Sequence, residues 1–293
     1  MKLRYYVEAF FAVTGYSVLR LLPLDLASDF GSYIARRYGP RTRIHRVAEF
    51  NLRSALPNLS NKDYDHILDR MWDNLGRVVT EYPHLSGDEI RRRINIVKGE
   101  DRLAPLLREK KPVLLISGHL GNWELMPVVA DHLGHPLHLL YRQANNPVVD
   151  RLVARIRKPY SLGLYAKGSA GARAVITAMR KAEPLAMLVD QKTNDGIEAM
   201  FFNHPAMSSS IVAQLALKYQ ATIVPCRCIR RGGARFDIII EPPLAYVLTG
   251  NEHQDKLTIT QRMNDVMERW IRDDPGQWFW VHKRWKFSKK FAV

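Results

Sequence analysis

The feature that most constrains the fold is a set of short apolar runs that do not alternate with polar residues, PVLLISG (112–118) and PLAMLVDQ (184–191). A strand with one wet face alternates, whereas a strand covered on both faces does not, so each run predicts a strand with helices above and below it. The intervening sequence supplies those helices. EDRLAPLLREK, NWELMPVVADHL with Asn122 as its N-cap, Pro147–Arg157, Ala172–Lys181, SSSIVAQLALKYQ and 253–273 all have helical spacing. INIVKG and HPLHLLYR are further strands, and TIVPCRCIR and RFDIIIEP are strands joined by Arg-Gly-Gly as a hairpin. The expected fold class is α/β, a mostly parallel central sheet flanked by helices.

Before residue 94 the pattern is helical instead. In RTRIHRVAEFNLRSA, Ile44, Val47, Ala48, Leu52 and Ala55 share one face, and a second helix runs from Tyr64 to Glu81. Residues 5–24, YYVEAFFAVTGYSVLRLLPL, are apolar apart from Glu8 and Arg20. A bilayer core needs about 20 such residues, and aromatic side chains favour its interface. Residues 1–25 are therefore expected to be a membrane anchor or interfacial helix, and 26–293 a single α/β domain. The alternative is a buried amphipathic helix.

The chain has 293 residues with 44 Lys plus Arg against 29 Asp plus Glu, a formal charge of +15. That size supports a core without disulfide or metal staples, and a mean hydropathy of −0.24 excludes a polytopic membrane protein. The charge calls for an anionic partner: nucleic acid, membrane, phosphorylated substrate or acidic protein. Cys226 and Cys228 share one face of a strand and are expected to be reduced, buried thiols. The histidines are scattered without metal-ligand spacing, so no metal site is expected. The tail from Gln277 interleaves Trp and Phe with Lys and Arg, which suits a headgroup layer or single-stranded nucleic acid. No zinc-finger, RNP or helix-turn-helix pattern supports the second use.

The strongest chemical signal is Ser-Gly-His-Leu-Gly-Asn-Trp-Glu (117–124), at the carboxyl end of a buried strand where α/β folds place their sites. Gly118 and Gly121 permit a tight turn. Glu124 is expected to hold one imidazole nitrogen of His119 so that the other can take a proton from a hydroxyl. The alternative is a histidine at a strand end with a glutamate favouring the helix dipole. Neither a G-x-S-x-G elbow nor a cysteine beside the histidine offers a covalent nucleophile. Amides around Gly118–Gly121 are the expected oxyanion donors. Arg157 is either a ligand for phosphate or thioester oxygen or part of a solvated helix face, and Asp190 a site residue or a turn aspartate. Arg142 and Asp150 are expected to organise the site by pairing. In the loop 192–207, Met200, Phe201 and Phe202 line an acyl channel, form a lid or pack in the core.

His119 and Glu124 in His-x4-Glu spacing resemble the signature of the bacterial lipid A biosynthesis acyltransferase family, the late lauroyl and myristoyl acyltransferases. Three further segments match in order. They are Tyr-Arg-Gln-Ala-Asn-Asn-Pro-Val-Val-Asp (141–150) with Arg157 after it, Leu-Val-Asp-Gln (188–191), and Gln-Trp-Phe-Trp-Val-His-Lys-Arg-Trp-Lys (277–286). The resemblance spans nearly the whole chain. It implies transfer of a fatty acyl chain from an acyl carrier protein thioester to a hydroxyl of a phosphorylated glycolipid, a lipid A precursor. Other glycolipid or phospholipid acceptors, or hydrolysis of the thioester, are the alternatives. It further implies catalysis by His119 and Glu124, with Arg157, Asp190, Asn122, Gly121, Arg142 and Asp150 binding substrate or supporting the site. No cofactor beyond the acyl carrier protein co-substrate and no nucleic acid partner are implied. The expected location is the cytoplasmic face of the bacterial inner membrane.

Overall fold

A computed structural model describes residues 3–109 and 111–285. The chain opens with helices α1 (Leu3–Leu21), α2 (Leu24–Tyr38), α3 (Arg43–Ala55), α4 (Asn61–Glu81) and the short α5 (Asp88–Arg91). Strands and helices then alternate: β1 (Ile94–Lys98), α6 (Glu100–Arg108), β2 (Val113–Ser117), α7 (Leu125–His132), β3 (Leu137–Tyr141), α8 (Pro147–Arg157), β4 (Ser161–Ala166), α9 (Ser169–Arg180) and β5 (Leu185–Leu188). The chain continues with β6 (Lys192–Phe201), β7 (His204–Ser208), α10 (Ile211–Tyr219), β8 (Thr222–Gly232), β9 (Arg235–Ile240) and α11 (Glu252–Asp273).

Seven strands form one sheet in the order β1-β9-β8-β2-β5-β3-β4. Every pairing is parallel except the β8–β9 hairpin, which turns at the Arg-Gly-Gly segment expected to do so. All five residues of β2 are buried. Leu114 and Ile116 enter one core with α4, α9, α10 and α11, while Val113 and Leu115 enter the other with α6, α7 and α8. Burial on both faces is why this run does not alternate. Each such side chain contributes about 1.5–3 kcal/mol relative to exposure.

Helix α4 shows why the upstream elements are stable. Its start is a capping box in which the Ser60 hydroxyl accepts from the Asp63 amide and Asp63 accepts from the Ser60 amide, each at 3.2 Å. It packs on α2 so closely that a Cβ at Gly31 would overlap the Gly76 carbonyl. α1 also lies on the body of the protein. The Asn146 side chain at the start of α8 donates to the Tyr5 carbonyl at 2.8 Å, and the His84 ring meets the Leu19 carbonyl at 3.0 Å. Among the described residues no helix is long and apolar enough to cross a membrane.

Three expectations change. The helix expected from Asn122 begins at Leu125, because Leu120 bridges to Trp278 and residues 121–124 form a bend and turn. The loop 192–207 is instead the antiparallel hairpin β6–β7, outside the main sheet. α11 completes its hydrogen bonding: Gln261 and Asn264 side chains bond the Met200 amide and carbonyl at 2.8–3.1 Å. Phe201 and Phe202 on that hairpin are core residues, packed against Trp278, Trp280 and Trp285. The tail is therefore no headgroup-facing segment as far as residue 285. Trp278, Trp280, Trp285 and Arg284 are all buried, and residues 286–293 lie outside the described part. Cys226 and Cys228 are free and buried, as expected, and burial pushes the Cys228 thiol up to about 12.

Candidate active site

Parallel strands β2 and β5 end side by side, with Ser117 in register with Leu188. The residues that follow them, His119 and Asp190, therefore meet at the carboxyl edge of the sheet. Asp190 Oδ1 lies 2.8 Å from His119 Nδ1, and Oδ2 accepts from the His119 amide at 2.8 Å and the Trp278 indole at 2.7 Å. Burial alone would raise the Asp190 carboxyl, but the imidazole and these donors outweigh it and hold the pKa at about 2. An ionised carboxylate only accepts, so Nδ1 carries the proton and Nε2 presents a lone pair. The Gln191 side-chain NH2 donates to that Nε2 at 3.2 Å. Trp123 and Phe279 pack against the ring, with centroids 5.0 and 5.6 Å from it.

Glu124 does not pair with His119, contrary to the expectation from spacing. The turn between them directs its carboxylate towards α8, where Arg157 Nε and Nη2 grip it at 2.9 and 2.5 Å. Both partners are largely buried. Burial works against the guanidinium charge, yet Glu124 and Tyr82 hold its pKa above the usual value. Tyr82 also lies beside Glu124, and its hydroxyl is pushed well up by burial and by that carboxylate. Arg157 is thus part of the site and not a solvated helix face.

The turn is fixed from beneath, in part by Asn74, Glu81 and Arg230, which the sequence did not single out as site residues. Gly121 has φ +54°, and a Cβ there would stand 2.5 Å from the Cys228 carbonyl oxygen. Its amide donates to the Gln277 carbonyl at 3.2 Å, and its carbonyl accepts from Asn74 at 3.0 Å. Asn122 is fully buried; its NH2 donates to Glu81 at 2.8 Å and its Oδ1 accepts the Glu124 amide at 3.2 Å. It therefore holds the turn. Arg230 closes the network with a two-point ion pair to Glu81 at 2.6 and 3.0 Å and a bond to Asn74 at 2.8 Å. A buried charge pair needs such full partnering. Its signal in sequence is weak: a glutamate at a helix end and an arginine in an apolar strand, 149 positions apart.

Three of the turn amides are not free to hold an oxyanion. The His119 amide bonds Asp190, Leu120 bonds the Gly118 carbonyl, and Gly121 bonds Gln277. The expected pairing of Arg142 with Asp150 is also absent. Asp150 instead accepts the Ala144 amide at 2.9 Å, shaping the loop that follows β3, while Arg142 is exposed.

A cavity of about 350 Å³ opens at this edge. His119, Glu124, Arg157, Gln191, Arg142 and Lys167 supply its polar lining. Leu115, Met126, Leu137, Leu139, Ala186 and Cys226 make the rest apolar. That size is in the range of ligand pockets, and the composition suits a chain with one reactive polar end. Met200, Phe201 and Phe202 take no part in it. Among the described residues no group of His, Cys, Asp and Glu side chains is arranged to hold a metal ion.

An α/β sheet carrying an Asp-oriented histidine at the mouth of a largely apolar cavity has the geometry of a general base that can take a proton from a hydroxyl or water bound beside it. The chain belongs to the bacterial lipid A biosynthesis acyltransferase family, whose model matches residues 1–287. It is 23% identical over 261 residues to the lipid A biosynthesis myristoyltransferase of Escherichia coli K12, covering 87% of this chain and 78% of that protein. It is 23% identical over 274 residues to the lipid A biosynthesis palmitoleoyltransferase of the same organism, covering 90% and 86%. A lipid A biosynthesis acyltransferase of Haemophilus influenzae is 23% identical over 247 residues, covering 82% and 76%. Acyl transfer is accordingly the reaction class.

Proposed function

We propose that this protein transfers a fatty acyl chain from an acyl carrier protein thioester to a hydroxyl of a phosphorylated lipid A precursor, at the cytoplasmic face of the bacterial inner membrane. The observation that carries the reading is the His119–Asp190 pair at the polar end of the apolar cavity. Family membership supports the lipid A acceptor, and the cationic Arg142 and Lys167 on the cavity wall suit an anionic substrate or carrier.

In this mechanism the acyl chain lies along the apolar wall and its thioester carbonyl sits beside His119. Nε2 removes the proton of the acceptor hydroxyl, and the oxygen attacks the carbonyl carbon. Asp190 stabilises the imidazolium formed. Gln191, released from Nε2 when the hydroxyl binds there, donates to the developing oxyanion. Arg157, held in place by Glu124, adds positive charge on the same side. The tetrahedral intermediate collapses with cleavage of the carbon–sulfur bond, and the thiolate takes the proton back from Nε2. A thioester is already activated for this exchange, so the reaction takes no cofactor beyond the acyl carrier protein co-substrate.

The test is incubation of purified, detergent-solubilised protein with labelled acyl carrier protein and a lipid A precursor, with the lipids read by mass spectrometry. The expected product is precursor heavier by one ester-linked chain. Release of free fatty acid without ester would make the protein a hydrolase, and acylation confined to another lipid would overturn the acceptor.

A further inference from the structure

Gln191 lines the cavity and donates to His119 Nε2 at 3.2 Å, but its side chain is only as well placed as the backbone that carries it. That backbone joins β5 to β6, and the tail of the chain brackets it. On one side stands Asp190, which accepts the Trp278 indole at 2.7 Å. On the other stands Lys192, whose amide donates to His282 Nε2 at 2.9 Å. Lys192 needs such a hold because its strand is irregular there. Lys192 and Ile197 both stand opposite Ser208 of β7, and residues 193–196 bulge out between them.

His282 is itself held from two directions. The buried Asn51 side chain on α3 donates to the Trp280 and His282 carbonyls, each at 2.6 Å. Two residues on, the buried Arg284 donates to the Met207 carbonyl at 2.9 Å and to the Ser208 hydroxyl at 2.7 Å, on the strand opposite Lys192. Since His282 Nε2 accepts an amide N–H, the ring is neutral with its proton on Nδ1. Burial keeps it so, pushing the imidazole down to about 4 against the pull of Asp190. His282 does not line the cavity, so its part in the reaction runs through the segment it grips.

We propose that His282 is a positioning residue for the oxyanion donor: by taking the Lys192 amide it fixes the segment that aims the Gln191 side chain at the reacting carbonyl. The inference rests on the reading of Gln191 as that donor and deepens it.

The experiment is a double-mutant cycle on the detergent-solubilised full chain, with Gln191→Leu and His282→Leu made singly and together. The rate read is acyl carrier protein thioester consumed, as ester plus free fatty acid, so the cycle holds whether the attacking hydroxyl belongs to lipid or water. His282→Leu leaves the Lys192 amide without its acceptor and is expected to lower kcat about 10-fold with KM little changed. With Gln191 gone there is nothing left to position, so the double variant is expected to match Gln191→Leu. His282→Gln carries an oxygen to the place of Nε2 and is expected to recover most of the rate. His282→Asn falls one bond short of it and is not. A second readout needs no turnover. Nitrogen NMR of labelled histidine reports the His119 Nε2 that accepts from Gln191, and His282→Leu should move this signal in the same direction as Gln191→Leu. Effects that multiply in the double variant would overturn the proposal. So would equal rates for His282→Asn and His282→Gln, or a His119 signal moved by Gln191→Leu and not by His282→Leu. Wild type that consumes no thioester would defeat the reading of the reaction instead, with the spectra still deciding the proposal.

Discussion

Replacing Asp190 by asparagine tests the imidazole geometry, because the outcome follows from which atoms donate. Two N–H groups, those of the His119 backbone and the Trp278 indole, point at Oδ2, while one ring nitrogen faces Oδ1. An asparagine keeps more bonds by placing its oxygen at the Oδ2 position. Its NH2 then faces His119 Nδ1 and donates to it, which fixes the proton on Nε2. The nitrogen facing the cavity becomes a donor and is no longer a base. Reversing the amide would leave a donor against two donors, a penalty of about 1–3 kcal/mol for each buried group left unsatisfied. Two such groups put the base-competent tautomer about 2–6 kcal/mol uphill, a factor of roughly 30 to 2 × 10⁴ in rate. Initial rates of acyl transfer should show kcat lower by that factor with KM changed little. Asp190→Asn also removes a carboxylate whose pKa is lowered to about 2. A depressed acid contributes stability that is present above its unfolded pKa and lost as pH falls towards the folded value. This contribution, about 2 kcal/mol from the shift, is lost progressively between about pH 4 and pH 2. Wild type and variant should therefore converge in unfolding free energy between pH 4 and 2. A variant with near-wild-type kcat would refute the assignment of Nδ1–H and of Asp190 as its partner.

Other substitutions separate chemistry from support. Gln191→Leu is expected to lower kcat about 10²-fold with little change in KM, as loss of one oxyanion donor does, and steady-state kinetics on both substrates checks it. Glu81→Gln leaves Arg230 buried without its counter-charge and should cost about 3–5 kcal/mol in denaturant unfolding. Gly121→Ala places a Cβ against the Cys228 carbonyl at a positive φ. It should destabilise by about 3 kcal/mol or more, read as a lower thermal midpoint.

Much of the architecture was legible because its physics is local. The unalternated runs at 112–118 and 184–191 are strands covered on both faces, and the Arg-Gly-Gly between two apolar segments is the hairpin of β8 and β9. The β6–β7 hairpin was hidden because its outer strand is polar and its partners include side chains of α11 that lie more than 60 positions away. Placing His119 at a strand end was legible for the same local reason. Its partner was not: sequence proximity favoured Glu124, whereas parallel pairing of β2 and β5 sets Asp190 beside the ring, 71 positions on. The aromatic tail shows the limit of composition. Trp278 and Trp280 resemble interfacial residues in sequence, yet their indoles donate inward to Asp190 and to the Pro275 carbonyl.

The central claim is that His119 is the base that activates the acceptor hydroxyl for attack on the thioester. The most direct measurement compares wild type with His119→Ala in one assay that records both ester formed and fatty acid released. The account predicts ester formation lower by about 10²–10⁴ in a variant with an unchanged circular dichroism spectrum. Ester formation at near-wild-type rate would contradict it.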